Sequence, residues 1–136
     1  MTLNDVQIIQ LPRFLDERGN LSFFENDKQI PFTIARTYWI YDVPGGEERG
    51  GHAYTDLQEF IVAISGSFDV VLNDGHNKKT YSLNRSYLGL YVPKLIWRHM
   101  ENFSTNSLAL IVSDKEYDAS QYIHDYDEFK RTKRHE

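Results

Sequence analysis

Apolar residues along the chain fall into short blocks separated by turn residues: Val6 to Leu11, Leu21 to Glu25, Ile34 to Tyr41, Glu59 to Ile64, Ser67 to Leu72, Thr80 to Leu83, Leu88 to Val92 and Leu108 to Ser113. The regular spacing of these blocks predicts about eight to ten strands, few of them followed by a helix, as in an antiparallel sandwich or barrel. Asp74-Gly75 can supply the positive-φ turn of a hairpin that runs out through Ser67 to Leu72 and returns through Thr80 to Leu83. Pro31, Pro44 and Pro93 lie at the edges of the blocks, as residues without a backbone N–H must in a sheet. After Ser113 the pattern changes, and Tyr122, Ile123 and Tyr126 fall on one helical face, which predicts a short turn of helix against the barrel. The economical architecture is all-β: a closed or double-sheet barrel with a ligand cavity in its mouth.

A chain of 136 residues is the size of one domain, so residues 1–136 are expected to form a single barrel. Roughly two-thirds of the unfolded surface can be buried at that length. With no cysteine there is neither a disulfide nor a thiolate metal site, which fits a reducing, cytoplasmic location. The opening residues lack the basic and apolar regions of a signal peptide, and no run approaches the ~20 apolar residues of a membrane span. A net charge of −5 and a pI near 5.5 argue against binding a phosphate backbone, so no nucleic-acid or membrane partner is expected. The basic cluster of Lys130, Arg131, Lys133 and Arg134 reads as a solvated tail. Nine Tyr, eight Phe and two Trp suit strands and flat, polar-edged ligands.

The stretch from Gly46 to Gly66 carries the chemistry. Gly46, His52, Glu59 and Gly66 stand at spacings that resemble the first motif of the cupin superfamily, with Tyr54 where the motif has its second His. Pro93 to Asn102 resembles the second motif, with Arg98 in place of a third His. Metal-dependent cupins take three His and one Glu from these motifs, a shell suited to Fe, Mn or Ni. A guanidinium has no lone pair to give and repels a divalent cation, so no catalytic metal is expected. His99 cannot stand in, because strand alternation points it away from Arg98, and it reads as a surface or intersubunit histidine.

A neutral imidazole can accept a proton near pH 7, and a fixed arginine can hold the oxyanion that results. Those are the two parts needed to abstract a proton beside a carbonyl. His52 is the candidate base and Arg98 the oxyanion holder, with Tyr38 and Tyr54 as phenolic donors or proton carriers. Glu59, if inward, must have a partner and would orient His52 or Arg98. The competing readings are an Arg98 ion pair with Glu59 or Glu101 that only holds the sheet, and packing roles for the two tyrosines.

Over nearly its whole length the chain resembles the sugar 3,4-ketoisomerases, a cupin family that includes the WxcM-like proteins. The resemblance runs through Asp16-Glu-Arg-Gly-Asn-Leu21, Arg49-Gly-Gly-His52-Ala53, Gly66-Ser67, Asp74-Gly75, Gly89-Leu-Tyr-Val-Pro93 and Tyr122-Ile-His-Asp-Tyr126. It implies a cupin double-stranded β-helix, a homodimer, no cofactor, and conversion of dTDP-4-keto-6-deoxyglucose to its 3-keto isomer ahead of amination at C3. It also implies that His52 removes the C3 proton, that Tyr38 lies near the reacting centre, and that Arg18 and Arg98 sit beside the sugar. Arg49 would position the substrate or its phosphates, with Glu59 and Asn102 completing the binding set. Many members carry a His where this chain has Tyr54, and Arg at both 18 and 98 leaves gluco and galacto products open. The alternatives are a dTDP-sugar 3,5-epimerase, which must also reach C5, and a non-catalytic sugar-nucleotide binding module.

Overall fold

The computed structural model describes residues 1–136. Strands β1 (Gln7–Gln10), β2 (Arg13–Phe14), β3 (Leu21–Ser22), β4 (Arg36–Tyr41), β5 (Arg49–Tyr54) and β6 (Glu59–Ser65) form the first half of the chain. Then follow β7 (Phe68–Asn73), β8 (Lys78–Leu83), β9 (Leu88–Val92), β10 (Trp97–Glu101), β11 (Leu108–Ser113), β12 (Tyr122–Ile123) and the helix α1 (Tyr126–Arg134). Two five-stranded antiparallel sheets, ordered β1-β9-β6-β11-β4 and β12-β5-β10-β7-β8, make the expected double-sheet barrel, while β2 and β3 pair apart from both. No helix is long and apolar enough to cross a membrane.

The core lies between the sheets, where Ile61, Phe68, Val70, Leu72, Leu90, Ile96 and Ile111 are buried together. Strand β6 reads as an unbroken apolar run because both of its faces are covered. Ile61 and Ala63 point into the barrel, whereas Phe60 and Val62 pack outward beneath Ile30 and Phe32. Gly89 makes that outer layer possible: a Cβ there would overlap the Phe60 ring, so only a glycine lets the two strands lie under one aromatic. The β7–β8 hairpin forms as its turn residues predict. Gly75 adopts φ +93°, and the buried Asp74 carboxylate accepts N–H bonds from His76, Asn77 and the distant Leu3 at 2.7 to 3.0 Å.

Two expectations need correction at the C-terminus. Tyr122 and Ile123 are extended rather than helical, paired with Tyr54 and Ala53 of β5. The helix starts only at Tyr126, where the Asp125 side chain caps it by accepting from the Asp127 N–H. The basic cluster is therefore no free tail. Lys130, Arg131, Lys133 and Arg134 belong to α1, which buries Phe129 against Trp97 on the outside of the second sheet. Lys133 is itself tucked in, bonding Glu136 at 2.7 Å and the Met1 carbonyl. Cations at this end also complement the helix dipole.

Candidate active site

Alternate residues of four strands line one cavity of about 270 Å³: Arg36, Tyr38 and Ile40 of β4, Gly50, His52 and Tyr54 of β5, Glu59 and Ile61 of β6, and Arg98 and Met100 of β10. Strand β10 lies beside β5 with Arg98 opposite His52, and the register shifts between Arg98 and His99. Gly50, at φ +105°, permits that approach. A Cβ there would stand 3.0 Å from the His99 Cα and 3.1 Å from the Arg98 carbonyl oxygen.

Glu59 and Arg98 are 2% and 4% exposed. Arg98 Nη1 donates to Glu59 Oε1 at 2.7 Å, and its Nε and Nη2 donate to the Ile96 carbonyl at 3.3 and 3.2 Å. The guanidinium also lies 4.9 Å from the Tyr54 ring centroid. The Tyr38 hydroxyl donates to the other Glu59 oxygen at 2.5 Å. His52 Nε2 is 3.0 Å from the Tyr54 hydroxyl, and the Tyr122 ring packs against both residues. Burial, and then the charge of Arg98, pulls the His52 pKa down from 6.5 to about 3. Burial, and then the Glu59 charge, pushes both the Tyr38 and Tyr54 phenols up. At neutral pH the cavity holds an uncharged imidazole and two protonated phenols around a buried ion pair.

The donor set does not suit a divalent ion. Of the four cupin ligand positions, only His52 and Glu59 carry a metal-binding side chain, and both Glu59 oxygens are already bonded. A cation entering there would meet the Arg98 guanidinium. Elsewhere, Glu48, His99 and Glu101 bring one donor atom each to within 4.8 Å of one another. His99 was expected to point away from Arg98, but the register shifts between the two and His99 also lines the cavity, with Nε2 3.0 Å from Glu101.

Of the residues expected in the site, Tyr38, Arg49, His52, Tyr54, Glu59 and Arg98 all line the cavity. Glu59 anchors Arg98 and Tyr38 rather than His52. Two expected residues fall outside. Asn102 is exposed beyond the end of β10 in the left-handed region (φ +57°), bonding Asp69 at 3.3 Å, so it closes a turn instead of touching a ligand. Arg18 is 90% exposed between β2 and β3, held by Asp16 at 2.9 Å. Among the polar lining residues, Arg36, His99 and Tyr122 were missed. Arg36 lies over the Tyr38 ring at 4.4 Å, and alternation from Tyr38 on the same strand was a signal for it. Tyr122 was signalled only by the family segment Tyr122 to Tyr126, because its stretch read as helix.

Residues 4–134 match the family model FdtA, described as WxcM-like, C-terminal. A TDP-4-oxo-6-deoxy-α-D-glucose-3,4-oxoisomerase of Aneurinibacillus thermoaerophilus is 37% identical over 125 residues, which are 92% of this chain and 90% of that protein. A 3,4-ketoisomerase from Helicobacter canadensis superposes with a TM-score of 0.93 at 42% identity, covering 96% of this chain and 98% of its own. QdtA, a sugar 3,4-ketoisomerase from Thermoanaerobacterium thermosaccharolyticum solved with TDP, gives 0.95 at 30% identity, covering 98% and 97%. A dTDP-4-dehydrorhamnose 3,5-epimerase from Bacillus anthracis, at 18% identity and a TM-score of 0.78 over 90% of this chain and 79% of its own, shares the fold alone. An uncharged histidine facing a buried arginine in a cupin barrel, and these matches over almost the full length, place the chain in the FdtA, WxcM-like family of sugar 3,4-ketoisomerases.

Proposed function

We propose that this chain moves the keto group of dTDP-4-keto-6-deoxyglucose from C4 to C3, without metal or cofactor, to supply a ketone for later amination. The observation that carries this reading is the neutral His52 imidazole lying across the β5–β10 pair from Arg98 in one cavity. His52 takes the C3 proton, and the electrons of that bond move to the C4 carbonyl oxygen. Arg98 holds the oxyanion. Two of its five N–H donors bond Ile96 and one bonds Glu59, so two remain for the substrate. The proton on the C3 oxygen passes to the C4 oxygen, the enediolate collapses to the C3 ketone, and the imidazolium returns a proton to C4. Arg49 lines this cavity, where its guanidinium can meet the diphosphate that stays attached to the sugar. The absence of cysteine supports work in the cytoplasm.

Incubation with dTDP-4-keto-6-deoxyglucose in D₂O, followed by proton NMR, tests the reading. Deuterium is expected at C4 of a 3-keto product and at C3 of the 4-keto sugar re-formed by the reverse reaction. Exchange at C5 would make the protein an epimerase, and binding with no exchange would make it a carrier.

Arg18 enters this reading through a second copy of the chain. The β2–β3 hairpin leaves Phe14, Leu15 and Leu21 more than half exposed, and β4 is a sheet edge with Trp39 and Tyr41 equally bare beside the cavity. An unpaired edge and an apolar hairpin fit a two-fold dimer in which the hairpin of one protomer covers the partner's β4 and brings Arg18 to its cavity. Sedimentation should show a dimer, and Leu21→Glu should yield monomers with impaired turnover. A fully active monomer would remove Arg18 from the site.

A further inference from the structure

We infer that Glu59 is a positioning residue that sets the hydrogen-bond sense of Tyr38, so that the cavity offers a lone pair for a hydroxyl beside N–H donors for a carbonyl oxygen. The inference rests on the ketoisomerase reading above. A carboxylate only accepts hydrogen bonds and a phenol carries one proton. With Tyr38 donating to Glu59 Oε2 at 2.5 Å, that proton is committed, so toward the cavity it lines, beside the Tyr54 hydroxyl, the phenol can only accept. The other Glu59 oxygen holds Arg98 Nη1 at 2.7 Å, so one buried carboxylate fixes both groups.

These two groups match an α-hydroxy ketone. The carbonyl oxygen belongs on Arg98, the only cation in the buried core of the site, and the neighbouring hydroxyl belongs on Tyr38. A sugar bound the other way round would set its carbonyl oxygen against the Tyr38 lone pair. Glu59 therefore decides which of two adjacent oxygens receives the developing charge, although it touches neither.

Glu59→Gln tests this while keeping the shape. Arg98 has no acceptor, so it must face the amide oxygen, which leaves the amide N–H₂ to Tyr38. The phenol then has to accept, and its own proton swings into the cavity. Turnover number is expected to fall about 10²-fold, while affinity for TDP, which lacks the sugar, stays within about twofold of wild type. Tyr38→Phe added to Glu59→Gln should cause no further loss, since the misdirected proton is gone. A purely structural Glu59 would instead multiply the two losses, and that result, or an undiminished Glu59→Gln, overturns the inference even with a working wild type. A wild type that exchanges no sugar proton overturns the functional reading instead. Independently of turnover, the short Tyr38–Glu59 bond should give the wild-type protein a far-downfield hydroxyl proton that vanishes in Tyr38→Phe. Its absence from the wild type overturns the inference whether or not the variants fold.

Discussion

His52→Asn is expected to lower turnover by about 10²- to 10⁴-fold, the usual contribution of a positioned general base, with TDP binding retained. The amide has a similar polar outline and no basic nitrogen. The environment of His52 adds a pH signature. Its pKa lies near 3 in the folded chain against 6.5 for a free imidazole, so the base form persists as the solution is acidified. The kcat/KM of the wild type should accordingly stay flat from about pH 8 to about pH 5, across the range where an ordinary histidine loses its lone pair. A fall with a midpoint near 6.5 would show that another group is the base. Stability carries the opposite face of the same shift. Below pH 6.5 the unfolded chain binds a proton at His52 that the folded chain refuses until about pH 3, so wild-type stability declines through that window. His52→Asn lacks this increment and should lose less stability on acidification, as denaturant titrations at pH 7 and at about pH 4 would show.

The hydrophobic blocks made the fold legible wherever a strand buries apolar side chains. β9 and β11 have the ends that their blocks predict, β6 runs one residue longer, and β7 is shifted by one residue at both ends. Among the strands overlooked in that pattern, β5 and β10 carry much of the chemistry. Their inward positions hold Gly50, His52, Tyr54 and Arg98 where a structural strand would hold Val or Ile, so the signal for a strand disappears at the site that the strand builds. Motif spacing found those residues instead. The pairing of Glu59 with Arg98 was among the expected partners, but the sharing of that carboxylate with Tyr38 was not. That Glu59 faces Tyr38 and Arg98 together follows from β4, β6 and β10 surrounding one cavity, contacts far apart in the chain. Asn102 failed for a related reason: its motif position was right, but the backbone had already left the strand.

Arg98→Ala should show two losses that can be separated. Rate should fall about 10²- to 10³-fold, as when an oxyanion donor is removed from a preorganised site. Stability should fall as well, because Glu59 stays buried at 2% exposure without its counter-ion, a change that typically costs about 3–5 kcal/mol. Adding Glu59→Gln removes the stranded charge and should recover most of the stability in urea or thermal unfolding, yet none of the rate. Arg98→Lys divides the roles differently. An ammonium can satisfy Glu59 as a point charge, but its three donors lack the planar fork that bonds Ile96 and Glu59 and still leaves N–H groups for the substrate. That variant should be more stable than Arg98→Ala while remaining well below wild-type turnover. Wild-type turnover in Arg98→Ala would reduce the guanidinium to a strut between the sheets; stability and rate returning together in the Arg98→Ala, Glu59→Gln pair would mean that folding alone had limited the reaction.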